Sequence, residues 1–295
     1  MATKPKKRVA LSAQQEEKKS KGRELSVVKA NDMIQKGRHQ LTKQEQRAVL
    51  FAISKIKPTD KVFEEYVFEL SELYAICGLQ KESYNEMKAI LNGLADRGWD
   101  IPMKDNPDVM TRVRWFGTLR TNKKSGRVSI KFHEDMMPYL LELSERDEFY
   151  TGYSLRYVLP MDSQYGPRLY EILKSYQKNN SSWFFEVQQL KALLGADNYK
   201  NFADFQKRVL DPAVKDINDY SDLNVMYIAE KEGVRYSRVT FHFYSKKPKA
   251  LEAVKMAGDK KLDGETDAKE LCEKLANDED YQKLKSFREA NMKSE

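Results

Sequence analysis

Between residues 201 and 220, NFADFQKRVLDPAVKDINDY, Phe202, Phe205, Val209, Ala213 and Ile217 recur at steps of three and four. That spacing draws one apolar stripe along a helix. Lys200, Lys207, Arg208 and Lys215 fall off the stripe and face outward. A short helical run with a Gly-containing break, QQLKALLGADNYK, comes just before it. Alternating apolar residues at 225–229 and 236–244, around the polar Glu230-Lys231-Glu232-Gly233-Val234-Arg235, predict a strand hairpin just after it.

The rest of the chain yields to the same reading. SVVKANDMIQ predicts a short strand running into a helical turn, with order beginning near Leu25. Thr42-Lys43-Gln44-Glu45 is a capping box, and the helix it opens carries Val49, Ala52, Ile53 and Ile56 on one face until Pro58 ends it. A strand is expected at 66–70, a short helix at 71–78 and a longer helix at 80–97. The longer helix turns Tyr84, Met87, Leu91 and Leu94 inward and stops at Gly98. Strands are expected at 99–103 and 109–119, the second leading through the tip RTNKKSGR to a return strand with Val128, Ile130 and Phe132 inward. A helix at 133–143, a strand at 150–159, a helix at 162–177 and a strand at 183–187 complete the series. From residue 246 the chain is charged and weakly helical, with no apolar face wide enough for a core of its own.

One feature organises this series. FELSELYAICGL, residues 68–79, aligns without gaps to FEVQQLKALLGA, residues 185–196, with Phe, Glu, Leu, Ala and Gly identical at five of twelve positions. After one inserted residue, Tyr84, Met87 and Leu91 meet Phe202, Phe205 and Val209, and later GRVSIKF resembles SRVTFHF. A repeat of about 115 residues is a duplicated domain, not a solenoid. Each half then holds helix, strand, short helix, turn, long helix and hairpin, the element order of a winged helix. The fold class that follows is α+β: two tandem winged-helix domains, mostly helical with β-hairpin wings.

B-DNA's major groove is about 12 Å wide and admits one α-helix, so such a unit holds one helix proud of its core with polar side chains outward. In the second unit Asn201 caps the helix, Tyr199 and Lys200 stand at its entry, and Lys207 and Arg208 lie one turn further on. Arg208 is the first choice for a guanine edge, because its fork matches O6 and N7 together; Lys207 suits phosphate. The hairpin adds Arg235 and Arg238. The first unit offers Lys81, Ser83, Asn85 and Lys88 from its helix, and Arg112, Arg114, Arg120, Lys123 and Lys124 from its hairpin. The bland alternative for each is a solvated cation on an amphipathic surface helix; the repeat and the basic tips weigh against it for the pair.

Composition narrows the field further. The net charge of +7 is concentrated: residues 1–23 hold eight Lys/Arg and two Glu, whereas residues 246–295 balance twelve against twelve. The body, residues 24–245, holds 32 basic and 31 acidic residues, so any DNA reading must rest on where charges sit. Cys77 and Cys272 lack a CxxC or Cys/His set, which predicts a reducing compartment, no disulfide and no zinc. Cys77 reads as a small buried hydrophobe. No apolar run approaches a membrane span. GxxxxGK[ST], HExxH, GxSxG and GxGxxG are absent, the three histidines are isolated, and Asp278, Glu279 and Asp280 lie in a charged tail. The residues offer no catalytic constellation and call for no cofactor or metal.

LSVVKANDMIQ with LTKQEQRAVLFAIS, then LRYVLPMDSQYGPRLYEILKSY, then FQKRVLDPAVKDINDYSDLNV resemble the iteron-binding plasmid replication initiators of the RepB type, over about residues 25–244. The resemblance implies a non-enzymatic, cytoplasmic protein of a plasmid-bearing bacterium. It would bind direct repeats of double-stranded origin DNA, help open the origin and recruit host helicase and initiator proteins. It also implies a homodimer in equilibrium with a monomer, the dimer repressing the protein's own promoter. The domains would be a basic arm (1–23), a first winged helix for dimerisation and backbone contacts (24–148), a second for sequence-specific binding (149–245) and a partly disordered tail (246–295). Two other readings stay open: a winged-helix repressor without an initiator role, and a winged-helix protein-interaction module.

Overall fold

The computed structural model describes residues 25–263, apart from 57–59, 80–83, 103–105, 107 and 144–148. The described residues open with β1 (Ser26–Ala30), α1 (Asn31–Lys36) and α2 (Lys43–Ile53). The capping box forms: Glu45 N–H donates to Thr42 Oγ1 at 3.3 Å and Thr42 N–H to the Glu45 carboxylate at 2.8 Å. From Glu45 to Ile53 every residue of α2 is buried, so a helix expected to show one apolar face is enclosed on all sides. Pro58 lies outside the described residues.

The first head continues with β2 (Tyr66–Glu69), α3 (Leu70–Cys77), α4 (Tyr84–Asp96), β3 (Gly98–Pro102), β4 (Met110–Arg114), β5 (Phe116–Asn122), β6 (Arg127–Phe132) and α5 (Met137–Leu140). The second comprises β7 (Tyr150–Ser154), α6 (Gly166–Gln177), β8 (Ser182–Glu186), α7 (Val187–Leu194), α8 (Phe202–Phe205), a π-helical turn (Gln206–Leu210), α9 (Asp211–Tyr220), β9 (Leu223–Glu232) and β10 (Arg235–Ser245). The sheets have the same topology, β2–β6–β5 in one and β8–β10–β9 in the other. The duplication extends to single residues: Glu69 faces Arg127 across the first sheet, and Glu186 faces Arg238 across the second. Both short helices end on a left-handed glycine, Gly78 (φ 73°) and Gly195 (φ 66°), which is why GL and GA recur in the repeat.

Some expected elements are shorter or divided. The expected strand at 109–119 breaks at Trp115, whose buried ring packs edge-on against Trp99 at 4.9 Å. That turn sends β4 into a separate ribbon with β3 and sends β5 to the wing. The strand expected at 150–159 ends at Ser154 and becomes a 3-10 turn, Leu155–Tyr157. The helix expected at 133–143 is a 3-10 turn followed by α5 alone. Residues expected in a partly disordered tail form α10 (Pro248–Asp263), which buries Val254 and pairs Asp259 with Arg156 at 3.4 Å. The sparse apolar positions of α10 suffice because it leans on an existing surface.

The two heads share one apolar core. β1 pairs antiparallel with β7, from Ser26 opposite Ser154 to Ala30 opposite Tyr150. Beneath that ribbon lies a buried ionic cluster. The Glu171 carboxylate accepts from Lys29 of β1 and from Tyr153 of β7, and its other oxygen lies 3.7 Å from Arg168. Arg168 donates to the carbonyls of Ile34 (2.7 Å) and Gly37 (2.6 Å) at the end of α1, and to Leu193 (3.2 Å) at the end of α7. One α6 side chain thus satisfies helix-end carbonyls in both heads. Burial lowers the pKa of both Lys29 and Arg168, with Glu171 opposing the shift.

Glu171→Gln leaves Lys29 and Arg168 buried without their counter-charge; breaking such a pair costs about 3–5 kcal/mol. A urea midpoint unchanged from wild type would show that the cluster does not hold the heads together. His39, wedged against Trp99 and Trp115, is pushed well below its usual 6.5 by burial, then by Arg168 and Lys29. The folded state therefore binds fewer protons than the unfolded chain, so stability is present above pH 6.5 and is lost as pH falls below it. The expected slope is about 1.4 kcal/mol per pH unit. His39→Phe should remove that component, as read from urea midpoints at pH 7.5 and 5.5.

Candidate nucleic-acid interface

α8, the π turn and α9 run on as one rod over residues 202–220, with Phe205, Val209, Leu210, Ala213 and Ile217 buried. The π turn lies just before Pro212. The Asp211 N–H reaches Gln206 O, five residues back, and Pro212, which has no N–H, leaves the Arg208 carbonyl without the usual partner four residues on. Lys207 and Arg208 lie on this widened turn, both exposed, and Arg208 lies 3.9 Å from Asp204. The rod is anchored from behind: the Asp216 carboxylate accepts the N–H groups of Asp162 (2.8 Å) and Ser163 (2.6 Å), in the segment that leads into α6. Its outer face is thus presented rigidly.

In each head the wing touches the start of the reading helix. Tyr236 stacks on Phe202 at 4.1 Å and 20°, and Lys231 lies over the Tyr236 ring. In the first head Lys123, at the wing tip, lies 5.0 Å over Tyr84, the first residue of α4. Phe202 and Tyr84 are the pair that the repeat aligns. Helix and wing therefore form one continuous surface twice over, and a helix with an adjoining hairpin is what groove-plus-backbone docking requires.

The expected contact residues divide into groups. Asn85, Lys88, Lys123, Lys124, Lys200, Lys207, Arg208 and Arg235 are exposed on the reading helices, their entry and the wing tips. Lys81 and Ser83 lie outside the described residues. Asn201 is engaged by its own helix, accepting Asp204 N–H and donating to the Asp204 carboxylate, each at 2.7 Å. Tyr199 is half-buried, edge-on to Tyr165 at 6.3 Å, while its carbonyl accepts from Lys191. Arg120 pairs with Glu65 at 2.6 Å. Arg238 sits mid-sheet between Glu186 and Glu230 with its guanidinium over Phe184, so it braces β10 and is no wing-tip group. Arg112 and Arg114, expected on the first wing, belong to the β3–β4 ribbon, because Trp115 turns the chain between them and β5. Sequence reasoning passed over Arg38 and Arg97, which have no periodic signal, and Val234, 93 % exposed at the second wing tip.

Other chemistry has little support in this geometry. Burial pushes the Cys77 thiol up to about 12, which makes it unreactive. Among the described residues no group of three or more His, Cys, Asp or Glu is placed to hold a metal ion, and no helix is long and apolar enough to cross a membrane. Cys272 and the acids at 278–280 lie outside the described residues.

Two winged helices in tandem, each with an exposed helix and an adjoining wing, define a tandem winged-helix class of protein. The family described as "Initiator Replication protein, WH1" matches residues 26–174, and "Initiator Rep protein, WH2" matches 186–243; the chain belongs to this initiator replication protein family. It is 26 % identical over 229 residues to an Escherichia coli "Replication initiation protein", covering 71 % of this chain and 66 % of that one. It is also 26 % identical over 133 residues to the Escherichia coli "PI protein", covering 40 % of this chain and 44 % of that one. The chain thus spans less than two thirds of the length of these relatives. Among solved structures, the crystal structure of Pi initiator protein in complex with iteron DNA superposes with a TM-score of 0.61 at 19 % identity. That match covers 76 % of this chain and 99 % of that one, and is a likeness of fold.

Lys123→Ala with Lys124→Ala, at the first wing tip, should weaken DNA binding alike on every sequence. The slope of log affinity against log salt should become shallower by about 0.9 for each phosphate contact removed. An unchanged slope in a salt titration would place the tip away from the backbone.

Proposed function

We propose that this protein is a plasmid replication initiator that binds repeated sites in double-stranded origin DNA as its first step toward opening the origin. The observation that supports this most directly is the twofold repetition of a reading helix continuous with its wing, within a chain of the initiator family. The second head is the reader of sequence: Arg208 stands exposed on the widened turn of a rod anchored through Asp216, with Lys207 beside it for phosphate. The first head contributes Lys88, Lys123 and Lys124 mainly to backbone. Recruitment of host replication proteins, and a homodimer acting at the protein's own promoter, belong to the same reading and draw on the family alone.

A guanidinium that reads a base edge contributes about 1–3 kcal/mol of discrimination. Arg208→Ala should therefore weaken binding to direct-repeat DNA flanking the gene by that amount, relax preference at one base position and change mixed-sequence binding little. Competition gel shifts check this. An equal loss on both DNAs would leave Arg208 a phosphate contact, and no preference for the repeats in the wild-type protein would overturn the initiator reading.

A further inference from the structure

The β3–β4 ribbon belongs to neither wing, yet Arg112 and Arg114 lie on it and Arg38 bridges to it. Arg38 bridges antiparallel to its edge as a single residue: its N–H and C=O exchange 2.8 Å bonds with Asp100, which in turn pairs with Arg112. Residues directly opposite one another in a sheet share a face, so Arg38, Asp100 and Arg112 stand side by side. Arg114, two residues on, shares that face and has only Gly98 opposite it. The reverse face is apolar and buried, through Trp99, Ile101 and Val113. Asp100 lies 3.4 Å from Arg112 and orients it; among the described residues Arg38 has no ion-pair partner.

The position of this face is as informative as its charge. It forms one wall of a 260 Å³ cleft whose other wall is Ala192, Gly195 and Asp197. Arg97, also on the first wall, directly follows the last residue of α4, the first head's reading helix. Gly195 and Asp197 open the turn that leads into the second reading helix. The cleft therefore joins the end of one reading helix to the approach to the other. It is too small for a helix or a folded partner and of a size for a phosphodiester. Glycine at 195 keeps the walls close, since a Cβ there would sit 2.8 Å from the His39 carbonyl. Planar guanidinium forks suit phosphate oxygens held between two rigid walls.

We propose that this arginine face, centred on Arg38 and Arg112, is a third DNA contact that grips the phosphate backbone where the duplex passes from one reading head to the other. The proposal rests on the DNA-binding reading above and adds a contact to it. The test uses the whole chain with Arg38→Ala and Arg112→Ala together, with binding followed by fluorescence anisotropy from about 50 to 200 mM salt on both repeat and mixed-sequence duplexes. The slope of log affinity against log salt should become shallower by about two on both DNAs. Ethylation of phosphates between the two heads' contacts should hinder the wild-type protein and not the variant. Asp100→Asn, which frees Arg112 without removing its charge, should keep at least the wild-type slope. An unchanged slope in the double variant, with its urea midpoint intact, overturns the proposal. So does an Asp100→Asn loss equal to that of the double variant, which would make Arg112 a purely structural partner of Asp100. If the wild-type protein shows no salt-dependent binding to either duplex, the failure lies with the DNA-binding reading itself.

Discussion

The relative placement of the two heads depends on Arg168 and the charges around it. A guanidinium without solvent is costly to bury, and here three backbone carbonyls and the Glu171 carboxylate offset that cost together. Those carbonyls belong to α1 in the first head and α7 in the second. Lys29 and Tyr153 bring the paired strands β1 and β7 to the same carboxylate. Geometry of this kind tolerates little displacement, because Arg168 Nε and Nη2 aim at three fixed carbonyl oxygens. Under the proposed function that stiffness has a use, since each head would meet its own stretch of duplex in register with the other.

The reading surfaces follow from a simpler rule applied twice. A short helix closes on a left-handed glycine, a longer helix follows with its apolar stripe inward, and a hairpin packs against its first aromatic residue. The heads differ where their helices differ. A π turn just before Pro212 in the second rod places Lys207 and Arg208 on a broader arc, whereas α4 is regular over its described length. The differences in side chains and in local shape lie at the same place, consistent with a division between sequence reading and backbone contact.

Local pattern carried much of this. The stripe of Phe202, Phe205, Val209, Ala213 and Ile217, the Thr42–Glu45 capping box and the repeat around Gly78 and Gly195 are legible because neighbours a few residues apart decide them. Arg208 and Lys123 could be nominated for the same reason: their outward position follows from helical or turn geometry. Arg112 belongs to a different hairpin from the one its local pattern suggests, and Arg238 is held by ion pairs within its own sheet, because both environments depend on residues far away in the chain. Trp115 breaks a run of strand-forming residues only because Trp99 and His39 are waiting to bury it, and Arg238 is occupied because Glu186 lies across the sheet.

The sequence by itself determined the two-head architecture, the helices and hairpins of each head and the outward faces of the reading helices. These rest on short-range periodicity and on glycine and proline stereochemistry, which any few consecutive residues express. Only the tertiary structure decided how the heads are joined, that α10 completes the body, and that Arg38, Arg97 and Arg112 line one cleft beside the second head. Strand partners in β1–β7 lie more than a hundred residues apart, and a buried charge such as Lys29 looks like any surface lysine until its carboxylate is in place. Long-range pairing and desolvation are properties of the assembled core, so no local window of the chain contains them.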